Sequence, residues 1–335
     1  MKIRALVSGL LMVCLSAAAQ NQINGYLSFS YLKGEARSPA PESTFRDAAF
    51  GIVLSGDLMS NLGYISEARI EHQGRIEIIQ ALAGFTPSQA LQLRAGMFLV
   101  PFGKFNQDHR AHQTLHVNPP LSVETLYPHA WRDLGIQAIG VFSGLSYSLY
   151  YGNGLAEDSR LSGGQQFQDN NANKCFGGRL AWIPDPSLEG GYSYYQGKID
   201  AGNQRLQILQ NADLTWKGEG FLIYGEITRV RVDNPEEFSR GEAEGFFIQG
   251  AMELGLLQPV VSYQKLRYSD AFHGLGFGGA DSPGLGIDEN RRRWALGLVI
   301  RPANTFLLKL EYDFNRETGE EFPNDLLICQ VALSF

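Results

Sequence analysis

Cysteine is scarce in this sequence, and its scarcity excludes one class of exported protein. The chain has 3 cysteines among 335 residues. Small secreted domains that cannot build a large core are usually held together by several disulfides. The chain is therefore not a disulfide scaffold, and other interactions must hold its fold together.

Positive charge is also in deficit. The chain has 28 lysines and arginines against 35 aspartates and glutamates, which gives a formal net charge of -7. Proteins that bind nucleic acid carry a basic surface, because the phosphate backbone dominates their affinity. We therefore predict no nucleic-acid partner.

Helical periodicity is missing as well. No apolar pattern of period 3.6 lasts longer than about three turns, so helices are not the framework. The length of 335 residues would allow two domains, but no linker-like change of composition divides the chain. The sequence therefore predicts one continuous domain built from strands.

The N-terminus has the three parts of a secretory signal peptide. Residues 1–19 contain two basic residues, an apolar run over 5–15 and three alanines before Gln20. The apolar run is shorter than the roughly 20 residues of a transmembrane helix. Cys14 raises the alternative of a lipoprotein signal, but the valine before it does not fit that pattern. We expect cleavage of 1–19 and a mature domain over 20–335.

The mature chain shows strand-length segments with period-two alternation, and 305–315 is the clearest of them. Its apolar face holds Phe306, Leu308, Leu310, Tyr312 and Phe314, and its other face holds Leu307, Lys309, Glu311, Asp313 and Asn315. In a soluble β-sandwich the apolar face would pack against a second sheet, whereas in an outer-membrane barrel it would face lipid. One strand alone does not decide between these folds.

The number and length of the segments favour a barrel. Sixteen segments are predicted, at 23–32, 47–58, 62–72, 75–85, 91–100, 134–142, 145–152, 173–183, 187–197, 204–216, 220–232, 241–254, 258–269, 290–301, 305–315 and 324–335. Many of them match the roughly 9–11 tilted residues that cross a bilayer as a β-strand. An even strand number is also typical of bacterial outer-membrane barrels.

The connections between the segments alternate in length. The long polar connections follow odd-numbered segments and cover 33–46, 101–133, 153–172, 233–240 and 271–289. The other connections are mostly tight turns, although the turn at 73–74 breaks the alternation. Long external loops opposite short periplasmic turns are typical of outer-membrane barrels. We predict an all-β fold, a 16-stranded antiparallel transmembrane β-barrel in the bacterial outer membrane, in contact with its lipid.

Aromatic residues near segment ends support this location, because amphipathic rings favour the membrane–water interface. They are Tyr26, Tyr31, Tyr147, Tyr151, Tyr192, Tyr194, Trp216, Trp294 and Phe335. A simpler interpretation is that β-rich proteins use many aromatics. The aromatic terminus Phe335 resembles the assembly signal of outer-membrane porins, which implies recognition by the barrel-insertion machinery.

Sequence motifs around 94–135 carry a more specific resemblance. Gly96-Met97-Phe98, Pro101-Phe102-Gly103, Pro128 and Trp131-Arg132-Asp133-Leu134-Gly135 resemble the phosphate-selective porin O/P family. The resemblance implies a sixteen-stranded, usually trimeric barrel whose third loop folds into the lumen. It also implies selectivity for anions and a homotrimeric assembly.

The charges of the loop temper the expected selectivity. Lys104, Arg110 and Arg132 are balanced by Asp108, Glu124 and Asp133. Opposed charges across a constriction set up a transverse field, whereas a ring of one sign selects the opposite ion. We therefore predict passive diffusion of small hydrophilic solutes, with anions such as phosphate as the narrower alternative.

The candidate pore-lining and solute-binding residues are Arg69, Arg94, Lys104, Arg110, Arg132, Arg293 and Lys309. Guanidinium groups present forked donors that match phosphate and carboxylate. Two simpler roles are open: Arg132 and Asp133 could form a structural ion pair, and Arg293 could face the lipid headgroups. All these assignments depend on strand register, because a slip of one residue inverts every face.

Histidines cluster in the same loop. His109, His112 and His116 would share one face of a helical turn, and His129 follows them. Zinc is one interpretation, but no closed ligand set surrounds them, so solvated loop histidines are favoured and we predict neither metal nor cofactor. With a pKa of about 6.5, their protonation would make the loop more cationic in mild acid.

Two further function classes are kept as alternatives. A rim hydrolase would need a Ser-His pair that meets only in space, and a non-conducting adhesin or structural barrel would lack an open path. The sequence has no nucleophile elbow, HExxH or paired-cysteine metal motif, so we predict that the protein is not an enzyme.

Overall fold

The computed structural model describes residues 21–71, 74–274, 277, 289–319 and 321–335. The predicted signal peptide, residues 1–19, lies outside the described residues, as does most of the predicted connection 271–289.

The described residues form sixteen strands and one short helix in the β5–β6 connection. The strands are β1 Gln22–Gly34, β2 Thr44–Met59, β3 Leu62–Glu71, β4 Ile76–Ser88, β5 Leu91–Leu99, β6 Arg132–Phe142, β7 Leu145–Gly152, β8 Cys175–Asp185, β9 Leu188–Lys198, β10 Leu206–Gly218, β11 Phe221–Val232, β12 Gly241–Met252, β13 Leu257–Asp270, β14 Arg291–Ala303, β15 Phe306–Glu317 and β16 Leu326–Ser334. The helix, α1, spans Leu121–Leu126. Every predicted segment overlaps one of these strands.

The sheet closes on itself. Each strand pairs antiparallel with its neighbours in sequence, and β16 pairs with β1 through registers such as Ser30 opposite Gln330. Closure leaves no unpaired strand edge, which is how barrels avoid edge-to-edge association. The predicted 16-stranded antiparallel barrel is confirmed.

Period-two alternation separates the two faces of the wall, and β15 shows this most clearly. Lys309 and Asp313 point inward with relative exposures of 1% and 0%, whereas Leu310 and Phe314 point outward with 43% and 36%. The charged face therefore lines the lumen and the apolar face forms the outer surface, as predicted. Among the described residues, no helix is both long and apolar enough to cross a membrane.

Part of the lumen is filled by an aromatic cluster. Phe102, Tyr127, Trp131 and Tyr195 are each fully buried. The ring centroids of Trp131 and Tyr195 lie 4.9 Å apart, and those of Phe102 and Trp131 lie 5.4 Å apart. Tyr195 belongs to the wall and the other three rings to the β5–β6 connection, so the cluster holds this loop against one side of the barrel.

Close backbone contact between strands explains the glycine of the Gly96-Met97-Phe98 motif. Gly96 on β5 has a φ of +126°, and a Cβ atom there would lie 2.2 Å from the carbonyl oxygen of Ala81 on β4. Only glycine combines this backbone conformation with so close an approach.

Candidate channel constriction

The connection 100–131 leaves β5, enters the lumen and returns to β6, and we call it the constriction loop. Its two ends are joined by a hydrogen bond from Val100 N to Trp131 O of 2.8 Å. The buried Asn106 side chain bridges the same ends: Nδ2 donates to Val100 O at 2.8 Å and to Trp131 O at 3.0 Å. Trp131 N donates in turn to Asn106 Oδ1 at 2.7 Å. The base of the loop is therefore fixed before the chain crosses the lumen.

The first anchor is Glu67 on β3, whose side chain is fully buried. Arg110 Nη2 donates to Glu67 Oε2 at 2.7 Å, and Tyr26 OH donates to Glu67 Oε1 at 2.9 Å. Gln80 Nε2 donates at 3.1 Å, and His109 Nε2 lies 3.3 Å from Oε1. A buried charge is tolerated only when it is paired and hydrogen-bonded. The Glu67 carboxylate therefore needs Arg110 and His109 of the loop as partners, and these contacts hold the loop against β3.

The second anchor is Lys309 on β15. Its ammonium donates to Ala111 O at 2.6 Å, to Thr114 Oγ1 at 2.9 Å and to His116 O at 3.3 Å. An ammonium group has three protons, so all of them are used on the loop. Lys309 therefore holds the loop from the side of the barrel that contains β15.

Two carboxylates of β15 continue this anchor. Val117 N donates to the Glu311 carboxylate. Asn118 Nδ2 donates to Asp313 Oδ2 at 2.7 Å. His116 Nδ1 lies 3.6 Å from Glu311 Oε2. A hydrogen bond from a backbone N–H to an ionised carboxylate, such as that from Val117 to Glu311, is roughly twice as strong as a neutral one.

The opposite wall holds the first part of the loop. Gly103 N donates to Ser193 Oγ on β9 at 3.0 Å, and Phe105 N donates to Glu226 Oε1 on β11 at 2.7 Å. Lys104 forms an ion pair with Glu189 on β9. The loop is therefore fastened to β3, β9, β11 and β15, and it spans the lumen.

The helix α1 is fastened separately, against β13 and β14. Leu121 N donates to Gln264 Oε1 on β13 at 2.9 Å. Arg293 Nη2 on β14 lies 3.2 Å from Glu124 Oε2, and Arg291 Nη2 donates to Thr125 Oγ1 at 2.8 Å.

Four polar cavities flank the constriction loop. The upper cavity, toward the long connections, has a volume of about 320 Å³. Toward the short turns lie three cavities: the first lower cavity of about 400 Å³ beside β4–β8, the second of about 420 Å³ beside β10–β14, and the third of about 360 Å³ beside β1 and β16. Tyr26 and Arg110 line both the upper and the third lower cavity, and Phe105 and Thr114 line both the upper and the second. These four side chains therefore lie between the upper cavity and a lower one.

Four of the seven predicted solute-binding residues line these cavities. Arg69 and Arg110 line the upper cavity, and Arg94 lines the first lower cavity. Lys104 lines the second lower cavity. Arg69 is paired at 2.9 Å with Glu71. Among the described residues, no carboxylate oxygen lies within the 4.0 Å ion-pair distance of Arg94.

The other three predicted residues, Arg132, Arg293 and Lys309, serve the wall and the loop instead. Arg132 does not pair with Asp133 as one interpretation proposed; its nearest carboxylate is Glu77, at 3.6 Å. Asp133 accepts backbone N–H groups, including that of Gly154 at 2.9 Å. Arg293 is 7% exposed and points into the lumen, so the headgroup interpretation is wrong.

The histidines are not simply solvated loop residues. His109 and His116 are each 5% exposed and lie beside Glu67 and Glu311. In the described part of the chain, no group of three or more His, Cys, Asp or Glu side chains is placed to hold a metal ion. Residues 109–116 form turns and bends rather than a helix, so the shared helical face proposed for the histidines does not form.

The pKa of His112 is lower than that of an ordinary histidine side chain. Its burial and the charges of Arg110 and Lys309 lower the pKa of His112 to about 4. Desolvation and nearby positive charge both disfavour the imidazolium. For this histidine, the predicted gain of charge in mild acid is therefore wrong.

For two residues of the constriction, the sequence did not indicate the contacts that the structure shows. Tyr26 was assigned to the interfacial aromatics, but it is 4% exposed and faces Glu67 inside the lumen. The period-two alternation of β1 could have predicted this position, because Tyr26 lies on the same face of the strand as Ser28 and Ser30. No local pattern marked Glu67 as the partner of Arg110, since 43 residues separate them.

Comparison with known proteins gives one relative by sequence. The chain is 27% identical over 225 residues to an uncharacterized protein of Aquifex aeolicus (strain VF5), and the match covers 60% of this chain. The chain spans about 50% of the length of that relative. No protein-family model matches the chain.

Solved structures resemble the fold over nearly the whole chain. The anion-selective porin from Comamonas acidovorans has a TM-score of 0.69 and 12% identity, and the match covers 95% of this chain and 100% of the porin. The outer membrane channel DcaP of Acinetobacter baumannii has a TM-score of 0.68 and 10% identity, with 96% and 98% covered. The trimer form of OmpT, an outer membrane protein of Vibrio cholerae, has a TM-score of 0.68 and 10% identity, with 95% and 100% covered. At these identities, the likeness shows a porin-like barrel fold.

Proposed function

We propose that this protein is a channel of the bacterial outer membrane through which small hydrophilic solutes diffuse passively. The observation that carries the proposal is the constriction loop: it spans the lumen of a barrel with an apolar outer face, and polar cavities lie on both sides of it. An anchored loop of this kind sets the size limit of the pore. Lipid of the outer membrane is then the partner of the outer face.

Local charge supports a preference for anions, even though the whole chain has a net charge of -7. The lining of each of the four cavities includes more lysines and arginines than carboxylates. In the first lower cavity, Arg179 is neutralised by Asp213 and Glu189 on the wall, whereas Arg94 has no carboxylate partner among the described residues. Fixed positive charge along a narrow aqueous path attracts anions. Phosphate, which the sequence resemblance implies, is one anion of this class.

Assembly and insertion are further parts of the proposal. A homotrimer is supported by the resemblance to a usually trimeric family and by the trimer form of one structural neighbour. Recognition of Phe335 by the insertion machinery is supported by its position at the seam: its ring covers Gly25, and Phe335 N donates to Gly25 O at 2.9 Å.

Planar lipid bilayers test the proposal. We expect stepwise conductance, and in asymmetric potassium chloride we expect a reversal potential with the sign of anion preference. Conductance with the opposite sign would contradict the anion preference alone. Purified protein that gives no steps would favour the non-conducting barrel, and hydrolysis of ester substrates by the detergent-solubilised protein would favour the rim hydrolase.

A further inference from the structure

The lining of the first lower cavity has an excess of two cations over carboxylates, whereas the excess in each of the other three cavities is one. The first lower cavity has a volume of about 400 Å³ and lies between the walls of β4–β8 and the underside of the constriction loop. Two arginines line it, together with glutamine, serine and threonine side chains, and its lining includes no carboxylate. Ligand sites typically have volumes of about 300–1,000 Å³.

Only one of its two arginines is free. Arg179 is neutralised by Asp213, at 2.5 Å, and by Glu189, at 3.0 Å. Arg94 donates its Nε–H to Gln92 Oε1 at 2.6 Å. Among the residues that the structure describes, no carboxylate pairs with the Arg94 guanidinium. Its two terminal nitrogens are therefore available, in the forked geometry that fits a carboxylate.

A buried amide lies on the adjacent strand. Gln137 on β6 is opposite Arg94 in the strand register and is 6% exposed. Its Nε2 donates to Ser148 Oγ at 3.1 Å, while its Oε1 has no hydrogen-bond partner among the described residues. A buried polar atom without a partner is destabilising, so such atoms usually mark a ligand, a water or a functional role.

Apolar groups complete the lining. Phe98 and Ile139 face the same cavity as the amides and hydroxyls of Gln92 and Ser146. This mixture suits a short carbon chain that carries hydroxyl groups and one negative charge. A dianion would find a single unpaired guanidinium here, which favours a monoanion.

We infer that the first lower cavity is a binding site for a hydroxylated monocarboxylate, that is, a sugar acid. Its carboxylate pairs with Arg94, and its hydroxyl groups bond to Gln137 and the neighbouring amides. The site lies below the constriction, so a solute that has passed the loop is held there before release. This inference rests on the proposed channel function, which it extends by naming a solute class.

Binding is tested on the full barrel in detergent by titration calorimetry with gluconate. Glucose provides the hydroxyls without the charge, propionate the charge without the hydroxyls, and inorganic phosphate a competing oxyanion. We expect gluconate to bind most tightly. If glucose binds the wild type as tightly as gluconate does, or if phosphate binds it more tightly, the inference is wrong.

Three variants locate the site. Arg94→Gln should weaken gluconate binding by about tenfold or more, because a charge-assisted pair is lost. Gln137→Leu should weaken it by about threefold, because one neutral hydrogen bond is lost. Arg46→Gln is the matched control: it removes the same charge from the upper cavity, where Arg46 pairs with Asp47 at 2.9 Å. Equal losses in Arg94→Gln and Arg46→Gln would show a general charge effect and refute the site.

Bilayer recordings separate this inference from the proposed function. Gluconate should interrupt the current of the wild type more often than that of Arg94→Gln. If the wild type conducts in steps, but gluconate neither interrupts the current nor binds in calorimetry, the binding site is refuted and the proposed channel function is not. Failure of the wild type to conduct refutes the channel, and the inference with it.

Discussion

Glu67 is the most informative residue to change, because its carboxylate holds the loop to the wall through several bonds. Glu67→Gln removes the negative charge but keeps an amide that can still meet Tyr26 and Gln80. Breaking one side of a buried ion pair costs about 3–5 kcal/mol. The Arg110 side chain is 20% exposed and can turn toward water, so we take the lower end, about 3 kcal/mol. That corresponds to about 100-fold more of the undocked loop.

Two assays measure this release. Open-channel current noise should rise in Glu67→Gln, and trypsin should cleave the loop faster after Lys104 or Arg110. The control is Glu242→Gln on β12, where the same chemical change breaks pairs with the half-buried side chains of Arg229 and Arg231 on the outer face of the barrel. Such surface pairs contribute about 0–1 kcal/mol. If Glu67→Gln matches Glu242→Gln in both noise and cleavage, the carboxylate does not anchor the loop.

Three other changes test separate features. Lys309→Met leaves three loop acceptors without their donor, so we expect greater current noise and a lower unfolding temperature; unaltered noise would contradict its anchoring role. Because the pKa of His112 is lowered to about 4, the imidazole gains its charge only as the pH falls through that value. His112→Gln should thus match the wild type in reversal potential above about pH 5 and show weaker anion preference below it; divergence near pH 6.5 would contradict this. Gly96→Ala should prevent assembly of the heat-modifiable barrel in gel electrophoresis, because its Cβ would lie 2.2 Å from Ala81 O. Gly250→Ala is its control, with no heavy atom within 4 Å of the added Cβ, and equal assembly of the two variants would count against the steric argument.

The barrel wall was predictable because its signals are local. Period-two alternation in 305–315 separated the lumen face from the outer face, and the structure places Lys309 and Leu310 on the expected sides. The path of the constriction loop was predictable only in outline. Its helix Leu121–Leu126 was missed, because six residues are too few to show a helical period.

The pairing of charges was not predictable from the sequence. By composition, the loop has equal numbers of cations and carboxylates, yet most of its charged groups find partners on the wall. Arg110 pairs with Glu67, and Lys104 with Glu189. These partners are 43 and 85 residues apart, and no local pattern encodes such distances.

The sequence by itself determined the closed barrel, because alternation and turn spacing act over a few neighbouring residues. Only the tertiary structure decided which cations are neutralised and which are free, because this depends on where the loop crosses the lumen. Arg94 and Lys309 are equivalent in the sequence as inward-facing cations. The fold binds all three ammonium protons of Lys309 to the loop and leaves Arg94 facing an open polar cavity.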